Sequence, residues 1–200
     1  MTGRRQNGSN LYITDMLDTR SIDKTWTLFL DRDGVINRDK PDSYIFNWSE
    51  FSFYDGVLDS LALFNKIFGR IFVVTNQRGV GRGLMTEEDL ILIHRNMLDA
   101  IQRAKGRIDK IYYCVTIDND DPNRKPNPGM AFQARKDFPG IQFSKSIVVG
   151  NNISDMQFGR NAGMHTVFLR TTIPDIVLPH PDIDLVFDSL ADFAKALQKL

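Results

Sequence analysis

Two aspartates, Asp31 and Asp33, stand one residue apart in FLDRDGVINRD, residues 29–39, after a short apolar run and directly before Gly34. Neighbouring carboxylates resist each other's ionisation, so the pair calls for a metal ion or a proton. Asp and Gly also make ordinary turns after strands, and this stretch alone fits that reading equally well. Three other segments tip the balance: Thr75 in VVTNQRGVGRG, Arg124 and Lys125 in DPNRKPNPGM, and Asn151, Asn152 and Asp155 in VGNNISDMQFG. Brought together, these groups suit a divalent cation beside an oxyanion site. A buried aspartate can attack phosphorus directly, which gives Asp31 a nucleophile's role if magnesium and Lys125 neutralise the charge and the Thr75 hydroxyl donates to a phosphoryl oxygen. Asp33 is then free to protonate the leaving alcohol and to deprotonate water.

The elements around these residues decide whether they can meet. Short β-branched and aromatic runs, residues 25–30, 70–75, 110–116, 146–150, 165–170 and 184–187, read as strands, several of them apolar on both faces. Between them, Asp55 can cap a helix carrying Val57, Leu61, Phe64 and Phe68 on one stripe, and Thr86 a second carrying Leu90, Ile93, Met97 and Ile101. Pro128 suits the first turn of a third helix, and Ser189 caps a last one. The order predicts an α/β fold: a doubly wound, mainly parallel sheet with helices on both faces. Ligands of such sheets bind at the carboxyl ends of the strands, where all four polar groups would arrive.

Composition narrows the partners. The 200 residues, 42% of them hydrophobic, fit one compact domain over 25–200, preceded by a polar extension over 1–24 that receives no function. Twenty-five basic residues are matched by 25 acidic ones, so no nucleic acid or anionic membrane is expected as partner. A single cysteine, the absence of a signal-like start and the lack of a span-length apolar run point to a cytoplasmic protein. Oligomeric state cannot be read from the sequence.

In DRDG, the threonine of VVTNQ, the lysine of RKPNPGM and the acidic GNNISD, the chain closely resembles the haloacid dehalogenase superfamily of phosphatases over about residues 26–195. FLDRDGVIN, YDGV, VVTNQRGVGRG, IYYC and RKPNPGM resemble the subfamily that contains the D-glycero-D-manno-heptose 1,7-bisphosphate and histidinol-phosphate phosphatases. PNPGM and NQRGVGRG lean toward the heptose side. The resemblance implies a Rossmann-like fold without a separate cap domain, with Asp31 as nucleophile, Asp33 as acid and base, and Thr75 and Lys125 on the phosphoryl group. It implies a Mg2+ ion held among Asp31, Asp33, Asn151 and Asp155, and a small phosphorylated metabolite contacted by Asn76, Gln77, Arg78, Arg124 and Asn152.

Two departures from the family pattern matter. The subfamily's zinc loop is shortened here to IDNDDPN with only Cys114 remaining, so no structural zinc is expected and Cys114 reads as a small core residue. Asn151 stands where the family usually has an aspartate, which removes one negative charge from the ion's surroundings; Asp155 can compensate directly or through water. Tyr44, Phe46 and Trp48 either wall the ligand or pack on the sheet edge, and His94, His165 and His180 read as structural or solvated. Against heptose bisphosphate as substrate stand histidinol phosphate, another phosphate ester, or a catalytically impaired homologue that binds a phosphorylated ligand or a partner protein.

Overall fold

The computed structural model describes residues 17–198. Six strands form one parallel sheet: β1 (Thr27–Leu30), β2 (Arg70–Asn76), β3 (Lys110–Cys114), β4 (Ser146–Gly150), β5 (His165–Leu169) and β6 (Leu185–Phe187), in the order β3-β2-β1-β4-β5-β6. The six helices are α1 (Val57–Ile67), α2 (Arg78–Gly81), α3 (Glu87–Arg103), α4 (Gly129–Asp137), α5 (Ile153–Ala162) and α6 (Leu190–Gln198). From β1 the chain winds outward through β2 and β3, then returns to place β4 on the other flank of β1. That reversal opens a crevice between the carboxyl ends of β1 and β4, the usual ligand position in such sheets.

Alternation along β1 sorts the core into two layers. Leu28 and Leu30 join Leu61 and Phe64 of α1, Ile93 and Met97 of α3 and Phe193 of α6, while Phe29 joins Met130 and Ala131 of α4 and Phe158 of α5. Both faces of the sheet are thus covered, which is why all four residues of β1 are apolar or buried. Cys114 lies buried in the Phe29 layer, as the sequence suggests. Among the described residues no insertion forms a separate cap domain, and no helix is long and apolar enough to cross a membrane.

Three local features differ from the sequence reading. Gly56, at φ 74°, occupies the cap position of α1 and Asp55 does not, because the chain enters that helix through a left-handed residue. Pro128 stands at the cap of α4 with Gly129 as the first helical residue. The sequence pattern predicts no helix at α5, whose buried residues, Asp155, Met156, Phe158, Gly159 and Ala162, make no clean apolar stripe; its signals are Asn152 and Asp155 at capping-box spacing and the left-handed Gly163 after its end. Thr86 caps α3 as expected, with its side chain and that of Asp89 each accepting from the other's backbone N–H.

Candidate active site

The end of β1 is tied across the crevice, where the Asp31 N–H donates to the Val149 carbonyl of β4 at 2.9 Å. The Arg32 carbonyl then accepts from the N–H groups of Val35, Ile36 and Asn37, so the chain turns at once. Gly34 is required at that turn on two counts: its φ is 83°, and a Cβ there would lie 2.0 Å from the Asn151 amide nitrogen. The β1 turn and the loop after β4 are therefore packed directly together.

Lys125, buried at 4% exposure, crosses beneath this contact. Its Nζ lies 2.8 Å from Asp31 Oδ1 and 2.6 Å from Asp155 Oδ1, and donates to the Val74 carbonyl at 2.9 Å. Burial opposes its charge, but Asp155 and Asp31 outweigh burial and raise its pKa, so the ammonium is held. Asp31 moves the other way: burial, with Asp155 and Asp33 adding, pushes its carboxyl up to about 7 against the pull of Lys125. One ammonium shared between the buried Asp155 and the half-buried Asp31 leaves the group under-neutralised.

The tip of β2 supplies the second support. Asn76 pairs with the Lys125 backbone in both directions, Nδ2 donating to its carbonyl and Oδ1 accepting from its N–H, each at 3.1 Å. Gln77 Nε2 donates to both Thr75 Oγ1 and Asp33 Oδ2, each at 2.8 Å. Since a bond is already accepted at the Thr75 oxygen, the hydroxyl proton of Thr75 stays available to a ligand in the cleft.

Asp33 is gripped from below by Arg32, which is fully buried despite its size; Nε and one terminal nitrogen donate to the carboxylate at 2.8–3.1 Å. Burial raises the Asp33 pKa, but Arg32, Asn37 and Gln77 prevail and lower it, so its resting form is the carboxylate. The remaining Arg32 nitrogen meets His94 Nε2 at 3.2 Å. Burial and the charge on Arg32 push the His94 pKa down to about 3, so the ring is neutral and Nε2 is the acceptor.

These groups open onto a cleft of about 330 Å³ lined by Asp31, Asp33, Thr75, Asn76, Arg124, Lys125, Asn151, Asn152 and Asp155 among others. All four sequence motifs therefore meet at one rim. Gln77 and Arg78 are not on the lining: Gln77 acts behind it, and Arg78 reaches over the loop after β3 to the Ile117 carbonyl and the Asn119 side chain. Burial and the nearby Arg78 charge lower the pKa of Arg124, which donates to the Thr116 carbonyl. Tyr44 lines the cleft, whereas Trp48 stacks on Phe51 with ring centres 4.9 Å apart. The buried Arg32 and the loop residue Thr172 were missed from sequence, since an arginine between two aspartates and a threonine in a loop carry no pattern of their own.

A divalent cation fits the donors present. Among the described residues no three carboxylate, imidazole or thiolate side chains converge as a closed cage, yet Mg2+ needs only one or two protein carboxylates, with water and a substrate phosphate completing its shell. Asn151 lines this crevice, and its Oδ1 is a buried acceptor without a hydrogen-bond partner. Asp31 has only Oδ1 engaged by Lys125 among the described residues. Asp155 differs: Oδ1 meets Lys125, and Oδ2 accepts from the N–H groups of Asn151 and Asn152 at 3.2 and 3.0 Å.

Comparison with known proteins agrees with this geometry. A family model described as HAD-hydrolase-like matches residues 122–193. The D-glycero-alpha-D-manno-heptose-1,7-bisphosphate 7-phosphatase of Campylobacter jejuni is 39% identical over 146 residues, spanning 73% of this chain and 83% of the relative. The D-glycero-beta-D-manno-heptose-1,7-bisphosphate 7-phosphatase of Escherichia coli K12 is 35% identical over 181 residues, spanning 86% and 93%. Among solved structures, D,D-heptose 1,7-bisphosphate phosphatase from B. bronchiseptica, complexed with magnesium and phosphate, superposes with a TM-score of 0.77 at 28% identity, covering 87% of this chain and 98% of that one.

Proposed function

The chain belongs to the haloacid-dehalogenase-like phosphatases, and on that footing we propose that it is a magnesium-dependent phosphomonoesterase working through an aspartyl phosphate, with D-glycero-D-manno-heptose 1,7-bisphosphate as its substrate. The observation that carries the reading is Lys125, whose buried ammonium sits 2.8 Å from Asp31 beside a Thr75 hydroxyl with its proton free. An ammonium and a hydroxyl donor fixed at that place stabilise charge on a phosphoryl group without reorganising.

In this reading the freed oxygen of Asp31 attacks phosphorus, the ester P–O bond breaks, and Asp33, a carboxylate at rest that takes up a proton when the negative phosphate ester binds beside it, gives that proton to the departing alkoxide. Water then attacks the same phosphorus, Asp33 takes its proton, and the P–O bond to Asp31 breaks to release inorganic phosphate. Magnesium, when bound, supplies positive charge against the phosphoryl oxygens and the two facing carboxylates. Asn151 would hold it through its free Oδ1 and Asp31 through the carboxylate oxygen that does not attack, with the Asp33 segment beside them, while Asp155 serves chiefly to aim Lys125 and to cap α5. Asn76 holds the Lys125 backbone, Gln77 orients Thr75 and Asp33, and Arg124 and Asn152 face the remainder of the substrate, with Arg78 behind Arg124.

The test is phosphate release from the α and β anomers of heptose 1,7-bisphosphate, histidinol phosphate and a generic aryl phosphate, with and without Mg2+. Magnesium-dependent turnover concentrated on a heptose anomer is expected. Preference for histidinol phosphate would transfer the substrate assignment, and no turnover of any of them at millimolar Mg2+ would contradict the reading and favour a phosphoryl-ligand binder.

A further inference from the structure

An asparagine at a cation site raises a problem that a carboxylate does not. A carboxylate presents oxygen from either arm, whereas an amide presents an acceptor from one arm and an N–H donor from the other, and only one orientation suits a cation. In this structure Asn151 Nδ2 donates to Thr172 Oγ1, in the loop after β5, and Oδ1, at the other end of the amide, has no hydrogen-bond partner. The hydroxyl proton of Thr172 is in turn directed to Asp39 Oδ2 at 3.4 Å, so the threonine oxygen faces the amide as an acceptor. The neighbouring Thr171 hydroxyl donates to the Gly34 carbonyl, fastening the same loop to the turn that packs on the Asn151 amide. Asp39, Asn151 and Thr172 all line the cleft.

We propose that Thr172 is a positioning residue for the cation site: by accepting from Asn151 Nδ2 it fixes the amide with Oδ1 toward the ion, and so makes asparagine serviceable where the ion's charge would otherwise call for a carboxylate. The proposal rests on the reading of Asn151 as a magnesium ligand. Without the Thr172 acceptor the amide has nothing to hold its N–H end away from the crevice, and an inverted amide would present a donor to the cation. Residues that orient metal ligands in this way typically govern affinity by about 10–100-fold.

The experiment is calorimetric titration of the full chain with Mg2+, without substrate, in wild type and in Thr172→Val, Thr172→Ser, Asn151→Asp, Asn151→Asp with Thr172→Val, and Asp31→Asn. Thr172→Val should weaken Mg2+ binding about 10-fold and Thr172→Ser should restore it to within about 2-fold. In the Asn151→Asp background Thr172→Val should change affinity by less than about 2-fold, because a carboxylate needs no orienting acceptor. Equal affinity in wild type and Thr172→Val, or equal weakening in both backgrounds, would overturn the proposal while leaving the metal site standing. A wild type that binds no Mg2+, or binding untouched by Asp31→Asn, would remove the site itself and the positioning role with it.

Discussion

Asp184, buried immediately before β6, and Asp31, half-buried immediately after β1, are carboxylates at opposite rims of one sheet. Asp184 receives two guanidinium N–H groups from Arg160 and the Thr166 N–H at 2.9 Å, with His165 Nδ1 3.7 Å away. Burial alone would raise its pKa, but His165, Arg160 and the Thr166 N–H prevail and lower it to about 2. Asp31 has half a lysine, the other half belonging to Asp155, and its pKa rises to about 7. Away from the candidate site the fold saturates its carboxylate, and within the candidate site it leaves the carboxylate short of positive charge. The shortfall matches the charge that a divalent cation would bring, whereas the opposite rim is completed by the chain itself.

That contrast can be broken most sharply at Asp31. Asp31→Asn should reduce phosphate release by about 10³-fold or more, since it removes the attacking oxygen, while raising the thermal midpoint at pH 8 in the absence of metal. The sign follows from the raised pKa: stability contributed by this group is present at low pH and lost as pH climbs from about 4 through 7, so a neutral amide removes a penalty. Steady-state assay and a thermal melt on the same preparation check both halves.

Asp184→Asn should do the reverse. It leaves Arg160 without its buried partner, and denaturant titration at pH 7 should show a loss of roughly 3 kcal/mol while kcat stays within about 3-fold of wild type. Because the folded pKa is depressed, this stabilisation is complete above about pH 4 and disappears as pH falls toward 2, so wild type and variant should converge in acid. The smallest effect concerns protons and metal together. Mg2+ must displace the proton on Asp31, so its affinity should fall by up to about 10-fold for each pH unit below 7 and level off above it. Calorimetry in buffers of different ionisation enthalpy would report the released proton.

Much of this arrangement was legible in the sequence because it depends on short-range pattern. Six apolar runs with β-branched and aromatic residues became six strands, and the rule that places ligands at their carboxyl ends brought Asp31, Thr75, Lys125 and Asn151 to one cleft. What escaped depends on contacts that no local pattern records. Arg32 meets His94 across 62 positions and Asn151 meets Thr172 across 21, and neither partner looks unusual among its sequence neighbours. Asn76 and Gln77 were readable as site residues, yet their work as clamps on Lys125, Thr75 and Asp33 emerges only when β2 and the loop after β3 lie side by side. Helix α5 escapes because its buried residues make no clean apolar stripe and because its cap residues, Asn152 and Asp155, also line the cleft, so that their pattern reads as chemistry as readily as a helix start.

The most direct test of the central claim is to trap the enzyme during turnover of heptose 1,7-bisphosphate by acid quench and to weigh the peptide that contains Asp31 and Asp33. The account predicts a transient gain of one phosphoryl group on that peptide, located on Asp31 by fragmentation and lost in Asp31→Asn. Phosphate release at full rate with no phosphorylated peptide at any quench time, or with undiminished rate in Asp31→Asn, would contradict it.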